Sequence, residues 1–489
     1  MPSRDAARPI RSAGEIAGWD DQADVVIAGL GCAGACAALE ARAAGADVLV
    51  LERETLGGGT SALSGGLIYL GGGTPVQKQC GFEDSPEQMF LYLMAACGPG
   101  ADEAKVRIFC ERSVEHFHWL VARGVPFKAS FHPESGTEPP TDDGLIFSGS
   151  ESAHPFAAIA RPAPRGHHPQ KEGAAGGFLM QKLLATVAAS GARQLAGARC
   201  VSLVLTEAGR VVGAVARTLA GERAVRARRG VVLATGGFIH DDAMLARHAP
   251  WLLRCKVRIG CEGDDGSGIR LGMAAGAEAI RLDAASISLP FYPPRNLKQG
   301  LLVNRQGQRF INEDAYYGRA GEFALLHHDG QAWLIVDDAI LAGPMGGNAR
   351  PMGGMKLRAV GETIQELESE LGFTAGTLQA TVALYNRYAA DRQDPVLHKA
   401  PEYVSALANP PFGAFDCSVE HAIYAAFTLG GLRTRASGAV LTPSGAEIPG
   451  LFAAGRATSG VCAQGYSSGL SLADASFFGR LAGESAAWA

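Results

Sequence analysis

Four consecutive apolar positions, Val25 to Ala28, stand between Asp24 and Gly29, the pattern of a short strand buried on both faces. An alanine-rich stretch follows and reads as a helix, with Gly45 at its C′ position, and "DVLVL" then gives a second buried strand ending at Glu52. Residues 23–53 therefore predict a strand–helix–strand unit. Glycines punctuate residues 54–75 ("LGGGTSALSGG", "YLGGGTP"), as backbone shaped around a ligand would be. Residues 85–125 carry helical periodicity, and "QKLLATVAAS" is helical again. Between them, residues 161–177 form a Pro/Gly/His-rich stretch, long enough as a loop to be functional or mobile.

From Gly197 to Thr235 short strands alternate with turns and end on "GVVLATGG", which predicts a meander that rejoins the first unit. Residues 285–415 change to a mixed helix and strand pattern richer in Pro, Met, Tyr and Trp, the mark of a separate α+β domain, with a flexible loop expected at 343–356. The remainder returns as strands and hairpins before a closing helix. The expected organisation is a first domain over 20–284, a second over 285–419, and the first resumed over 420–489.

Composition narrows the function classes. With 47% hydrophobic and 19% charged residues over 489 positions, the chain can bury a large core and a large cofactor. A net charge of −5 without a dense basic stripe argues against nucleic acid as a partner. No apolar run approaches the roughly 18 residues of a membrane helix, and "MPSRDAARPIRSAGEIAGWD" has no signal-peptide core, so a cytoplasmic address and no integral membrane segment are expected. Ten cysteines without CxxC spacing read as buried thiols of a reducing compartment, Cys462 included. His116 and His118, two apart on a helix, do not share a face, and His167–His168 and His327–His328 read as polar loop groups, so no metal site is expected.

Gly29-x-Gly31-x-x-Gly34 lies between the strand and the helix, where glycine allows a tight turn and backbone N–H groups can meet a pyrophosphate at the positive helix end. Glu52 ends the second strand, placed to accept ribose hydroxyls. Dinucleotide binding follows. The fingerprint is shared by nicotinamide and flavin proteins and does not choose between them.

"GGGTSALSGG" after the acidic strand, "ATGG" after a late strand, and "GLFAAGR" before the closing helix together resemble the fumarate reductase/succinate dehydrogenase flavoprotein superfamily. The resemblance implies FAD, held by Gly29, Gly31, Ala33, Gly34, Glu52 and Arg53 in the first unit. It implies Gly59, Thr60, Ser61, Ser64, Gly65 and Gly66 along the flavin, with Val201, Ala234, Thr235 and Gly236 from the meander side. At the C-terminal end it implies Gly455, Arg456, Gly469, Ser471 and Leu472, the closing helix aiming its N-terminus at the isoalloxazine. The implied fold is α/β: a Rossmann-like FAD-binding domain, parallel sheet plus β-meander, with an inserted α+β cap.

Fumarate reducers of that superfamily carry a histidine before a T-x-G-G turn; here "FTLGGLRT" puts Phe427 there, which suits an apolar substrate. Arg433 and Arg435 read as strand-end surface arginines. "ALSGGLIYLGGGTPVQK", "PAPRGHHPQ", "NEDAYYGR", "FTLGGLRT" and "SGVCAQGYSSGLSL" resemble the bacterial 3-ketosteroid dehydrogenases, and within them the Δ4-(5α) branch. That resemblance implies a steroid substrate, an electron acceptor it does not identify, and a catalytic set of Tyr316, Tyr466 and Ser468, with Tyr317 as the adjacent alternative to Tyr316. The implied reaction removes a proton from C4 and a hydride from C5 of a 5α-3-ketosteroid. Tyr466 or a nearby backbone N–H would meet the C3 ketone, and Ser468 with Tyr316 would carry the proton. The alternatives are Δ1-dehydrogenation of the same ring, or reduction of an enoate. An electron-relay subunit would call for an Fe–S or haem motif, and the sequence carries none.

Overall fold

Among the described residues nine strands form the largest sheet, and its centre is parallel: Gly221–Leu233, Asp21–Ala28, Val48–Leu51 and Arg193–Leu195 lie in that order, with Glu447–Ala453 parallel to Gly221–Leu233 on its other side. The computed structural model describes residues 8–136, 138–292, 294–342 and 354–489. Leu233 is in register with both Ala28 and Ala453, and Ala28 with Leu51, so four strands end at one edge. Ligands of open α/β sheets bind beyond such carboxyl ends. The expected meander is present as Arg199–Leu205, Val211–Thr218 and Gly221–Leu233 in antiparallel pairing. One strand serves both arrangements: Gly221–Leu233 pairs antiparallel through Arg226 and then runs parallel to Asp21–Ala28, with a register irregularity between Ala227 and Gly230.

The first helix, Cys32–Ala43, is alanine-rich because it is packed on two sides, by the sheet and by the closing helix Leu470–Trp488. A Cβ at Gly479 would lie 2.5 Å from the Ala33 carbonyl oxygen and one at Gly483 2.1 Å from that of Ala37, so the crossing needs residues this small. The helical stretch 85–125 divides into Pro86–Ala96, Glu103–Glu111 and Ser113–Ala122, with Ser85 and Asp102 capping the first two.

The stretch 161–177, expected as a loop either functional or mobile, is in part built into a sheet. Gly166–His167 is a strand of a small four-stranded sheet with Ile68–Tyr69, Leu145–Ile146 and Phe131–His132. Arg165 is fully buried against Asp84 at 2.7 Å, and His167 bonds Thr74 Oγ1 at 2.8 Å. His167 and His168 are thus buried framework groups, not loop decoration: both are held by long-range partners, His168 through Nε2 to the Gly65 carbonyl at 3.2 Å.

In the 285–419 region, Leu301–Asn304, Ala332–Asp337, Phe412–Asp416 and Lys356–Gly361 make an antiparallel sheet, accompanied by the helices Ile364–Glu370 and Thr377–Ala389. The loop expected at 343–356 falls, for 343–353, outside the described residues. The chain enters and leaves this region on paired strands: Ala285–Ser288 runs antiparallel to Ala425–Thr428 with Ser286 opposite Phe427. Among the described residues no helix is long and apolar enough to cross a membrane.

Candidate active site

A cavity of about 610 Å³ opens where the four parallel strands end, walled by Gly29, Glu52, Ala234 and Ala454 directly after them. Three glycines of the first turn are needed for three different reasons. Gly29 has φ +100, and a Cβ there would sit 2.4 Å from the Ala234 carbonyl oxygen. A Cβ on Gly34 would come within 2.0 Å of the Gly29 oxygen, so it lets the helix pack on the strand. Gly31 is unlike both: its φ of −77° is ordinary, and the nearest protein atom to an added Cβ would be 3.7 Å away. Nothing in the protein demands glycine at 31, but it lies on the cavity wall at the N-terminus of the first helix, where a ligand pressed against the backbone would demand it.

Other wall groups fit a dinucleotide. Thr235 is in the wall, and its buried Oγ1 has no hydrogen-bond partner among the described residues. Glu52 accepts the Leu30 N–H at 2.7 Å and the Glu54 N–H at 2.9 Å, which ties the glycine turn to the second strand. Ser61 Oγ accepts the first-turn N–H of Cys32 at 3.2 Å, and Ser64 donates to the Ser61 carbonyl at 2.8 Å. Thr60 donates to Asp264 at 2.7 Å; Asp264 also accepts the Gly237 N–H at 3.2 Å and pairs with Arg456. Arg53 pairs with Asp265 at 3.3 Å.

Of the residues expected to hold the cofactor, all but two are in this wall: Ala33, Gly59, Gly65, Gly66, Gly236, Gly455, Gly469, Ser471 and Leu472 complete the set already described. Gly34 faces the strand, as above. Val201 lies one step past the wall, which takes Ala198, Arg199 and Cys200 from that stretch. Asp264 was not anticipated, although "GDDGSG" after a strand is the kind of aspartate–glycine turn that flags such a residue.

Across the cavity stand the groups with hydroxyls. Tyr316 precedes the helix Tyr317–His327, and a Cβ at Gly318 would touch its ring at 2.3 Å, so glycine there lets the ring fold back over the helix start. Its hydroxyl lies 2.8 Å from Ser468 Oγ, and near it stands Ser288, a wall residue on the strand Ala285–Ser288 that no sequence motif marks. Burial, reinforced by Tyr317, pushes the Tyr316 phenol well above its ordinary range, against the opposing pull of Ser468. Tyr317 itself turns away and packs edge-on to Tyr292 at 5.3 Å.

Tyr466 stands edge-on to Phe427, centroids 5.1 Å apart, and both are in the wall. The Tyr466 oxygen accepts the Ser471 N–H at 3.2 Å from the first turn of the closing helix, which leaves the phenol proton for donation into the cavity. Burial pushes this phenol up to about 12, so it is a neutral donor at pH 7. Gly469, at φ +97, precedes that helix, and a Cβ there would lie 2.9 Å from Tyr69 N, so glycine lets the helix start pack on the small sheet and brings it to the wall. Arg433 and Arg435 are engaged elsewhere, with Glu278 at 2.8 Å and Glu447 at 2.6 Å, both half-exposed. Cys462 is buried, and the neighbouring Cys97 thiol together with burial pushes its own thiol well above the ordinary range.

A glycine turn, a helix N-terminus and an acidic strand end around one cavity define a dinucleotide-binding protein, and residues 24–471 match the family described as FAD binding domain; the chain belongs to that family, and FAD is its cofactor. Among its relatives, the 3-ketosteroid-Δ4-(5α)-dehydrogenase of Rhodococcus jostii RHA1, solved with 4-androstene-3,17-dione, is 51% identical with a TM-score of 0.93, over 98% of this chain and 100% of that one. The 3-oxo-5-alpha-steroid 4-dehydrogenase of Comamonas testosteroni is 31% identical over 91% of this chain and 94% of its own. A flavocytochrome c3 fumarate reductase in its open conformation is 27% identical with a TM-score of 0.66, over 96% of this chain and 79% of that one.

Proposed function

We propose that the protein oxidises 5α-reduced 3-ketosteroids to their 4-enes, taking a proton from C4 and a hydride from C5. The observation that carries this reading is the 2.8 Å contact between Tyr316 and Ser468 in the same wall as the glycine turn and the donor Tyr466. The two steroid-acting relatives support it. FAD, when bound, supplies a hydride acceptor at N5. Everything else is asked of the chain's own side chains.

A C–H beside a ketone is acidic only if the negative charge developing on the ketone oxygen meets fixed donors. Tyr466 suits that task as a neutral phenol whose oxygen already accepts a backbone N–H. Ser468 would take the C4 proton while passing its own to the Tyr316 oxygen, and Tyr316 would in the same step release its phenol proton to water. Phe427 supplies an apolar face beside Tyr466. A dicarboxylate placed against it would lose its solvation without a free ion-pair partner, since Arg433 and Arg435 are paired at the surface and Arg456, over the Phe427 ring, is already paired with Asp264, which disfavours enoate reduction.

We read residues 20–284 and 420–489 as one Rossmann-like FAD-binding domain and 285–419 as a cap, with the steroid in the cleft between them. Tyr316 comes from the cap, and Tyr466 and Ser468 come from the other domain. Its ten unpaired cysteines fit a reducing compartment, and we assign the cytoplasm. The electron acceptor that completes turnover is unidentified. Tyr466→Phe and Ser468→Ala test the assignment: each is expected to lower kcat on a 5α-3-ketosteroid by about 10²-fold or more, and parent rates in both would refute it.

A further inference from the structure

Two hydroxyls from distant parts of the chain meet in the cavity, and one turn holds both. Ser148 makes two bonds with the Ser468 backbone: its carbonyl accepts the Ser468 N–H at 2.9 Å, and its Oγ donates to the Ser468 carbonyl at 2.9 Å. Two residues on, Ser150 Oγ accepts the Tyr316 N–H at 3.0 Å. Ser148 and Ser150 are both buried. Neither is in the wall of the large cavity, so neither would touch the steroid.

The turn itself is anchored from behind. Tyr92 OH accepts the Ser150 N–H at 3.0 Å and bonds Ser467 Oγ at 2.7 Å, beside Ser468. The buried Glu151 accepts the Gly149 N–H at 2.9 Å and the Tyr69 hydroxyl at 3.0 Å. Between the serines no side chain would fit, because a Cβ on Gly149 would lie 2.3 Å from both Ser467 Oγ and Tyr92 OH. Hydrogen bonds from opposite ends of a three-residue turn thus fix the backbones carrying Ser468 and Tyr316 relative to each other.

We propose that Ser148–Gly149–Ser150 is a positioning element that keeps Ser468 and Tyr316 in proton-transfer contact. The inference rests on the reading of that pair as the proton path. Misplacement of reacting groups by about 1 Å costs up to 10²-fold in rate. Losing the Ser150 hydroxyl frees the Tyr316 backbone without removing any group that meets substrate. Chemistry should therefore slow while binding stays.

The test uses the flavin-loaded enzyme. Ser150→Ala is expected to lower kcat at least about fivefold, with KM for a 5α-3-ketosteroid and Kd for its 4-ene product each within about twofold of the parent. Deuterium exchange of the peptide carrying the Tyr316 amide should quicken. In a Tyr316→Phe background, followed by single-turnover flavin bleaching, Ser150→Ala should add no further loss. A smaller drop in kcat, a larger change in KM, or an equal loss in that background overturns the proposal. If Ser150→Ala does not fold, Ser148→Ala takes its place, alone and in a Ser468→Ala background, with the same criteria. If Tyr316→Phe alone turns over at the parent rate, the proton-path reading has failed instead. Amide exchange then decides positioning by itself: faster exchange upholds it and unchanged exchange overturns it.

Discussion

The Tyr316 hydroxyl stands 2.8 Å from Ser468 Oγ, although 152 positions separate the two residues in the chain. Tyr316→Phe keeps the ring and removes the contact. Steady-state kinetics on a 5α-3-ketosteroid should show kcat lower by roughly 10²- to 10⁴-fold, the usual worth of a positioned proton-transfer group, with KM changed little. A variant with normal kcat would mean that the proton leaves by another route.

Gly31 and Gly34 separate the demands of ligand and fold. An added methyl at 31 meets protein only at 3.7 Å, whereas at 34 it lies 2.0 Å from the Gly29 oxygen. Gly31→Ala should leave the apoprotein's Tm within a degree or two of the parent and weaken FAD by about tenfold or more, as overpacking by roughly 1–3 kcal/mol would. Gly34→Ala should lower the apoprotein's Tm itself. Calorimetry of the apoproteins and flavin titration together distinguish the two.

Just before Tyr316, Glu313 is wholly buried between Arg309 at 2.7 Å and Lys399 at 2.9 Å, with Asp394 completing the cluster at 2.9 Å from Arg309. Burial alone would raise the Glu313 pKa, but Arg309 and Lys399 outweigh it and hold the carboxyl below its ordinary value. Its contribution to stability is therefore present above the unfolded pKa of about 4.3 and lost as pH falls through the folded one. Glu313→Gln leaves the buried cations short of one partner and should cost on the order of 3–5 kcal/mol in urea unfolding at pH 7. A loss below about 1 kcal/mol would contradict this placement.

The phenols set the alkaline behaviour. Burial pushes Tyr466 up to about 12 and Tyr316 well above its ordinary range. Above the unfolded value of about 10, unfolded chains release phenolic protons that the native protein keeps. Stability should thus hold below pH 10 and fall as pH rises from 10 toward 12. For the same reason kcat should show no alkaline limb from Tyr466 up to about pH 9.5. A midpoint near pH 8 would mean that a different group titrates in the reaction.

Local chemistry was legible in the chain and long-range packing was not. The glycine turn and Glu52 can be read because a tight turn, a close backbone approach and a strand end each require residue types within a few positions. Tyr316, Tyr466 and Ser468 were singled out through resemblance; nothing in the periodicity of "EDAYYGR" brings it to "GYSSG". The stretch 161–177 reads as a loop, functional or mobile, because its polar groups find partners far away, Arg165 in Asp84 and His167 in Thr74. Ser148, Ser150 and Ser288 carry no signal at all, since a small hydroxyl residue becomes informative only once its partner is known.

The most direct test of the account is anaerobic mixing of the yellow holoenzyme with 5α-reduced, 5β-reduced and 4-ene 3-ketosteroids in turn, followed by identification of the products. The account predicts that the 5α compound bleaches the flavin and emerges as the 4-ene, while the 4-ene compound leaves the colour unchanged. Bleaching by the 4-ene alone, with a 1,4-diene as product, would contradict it.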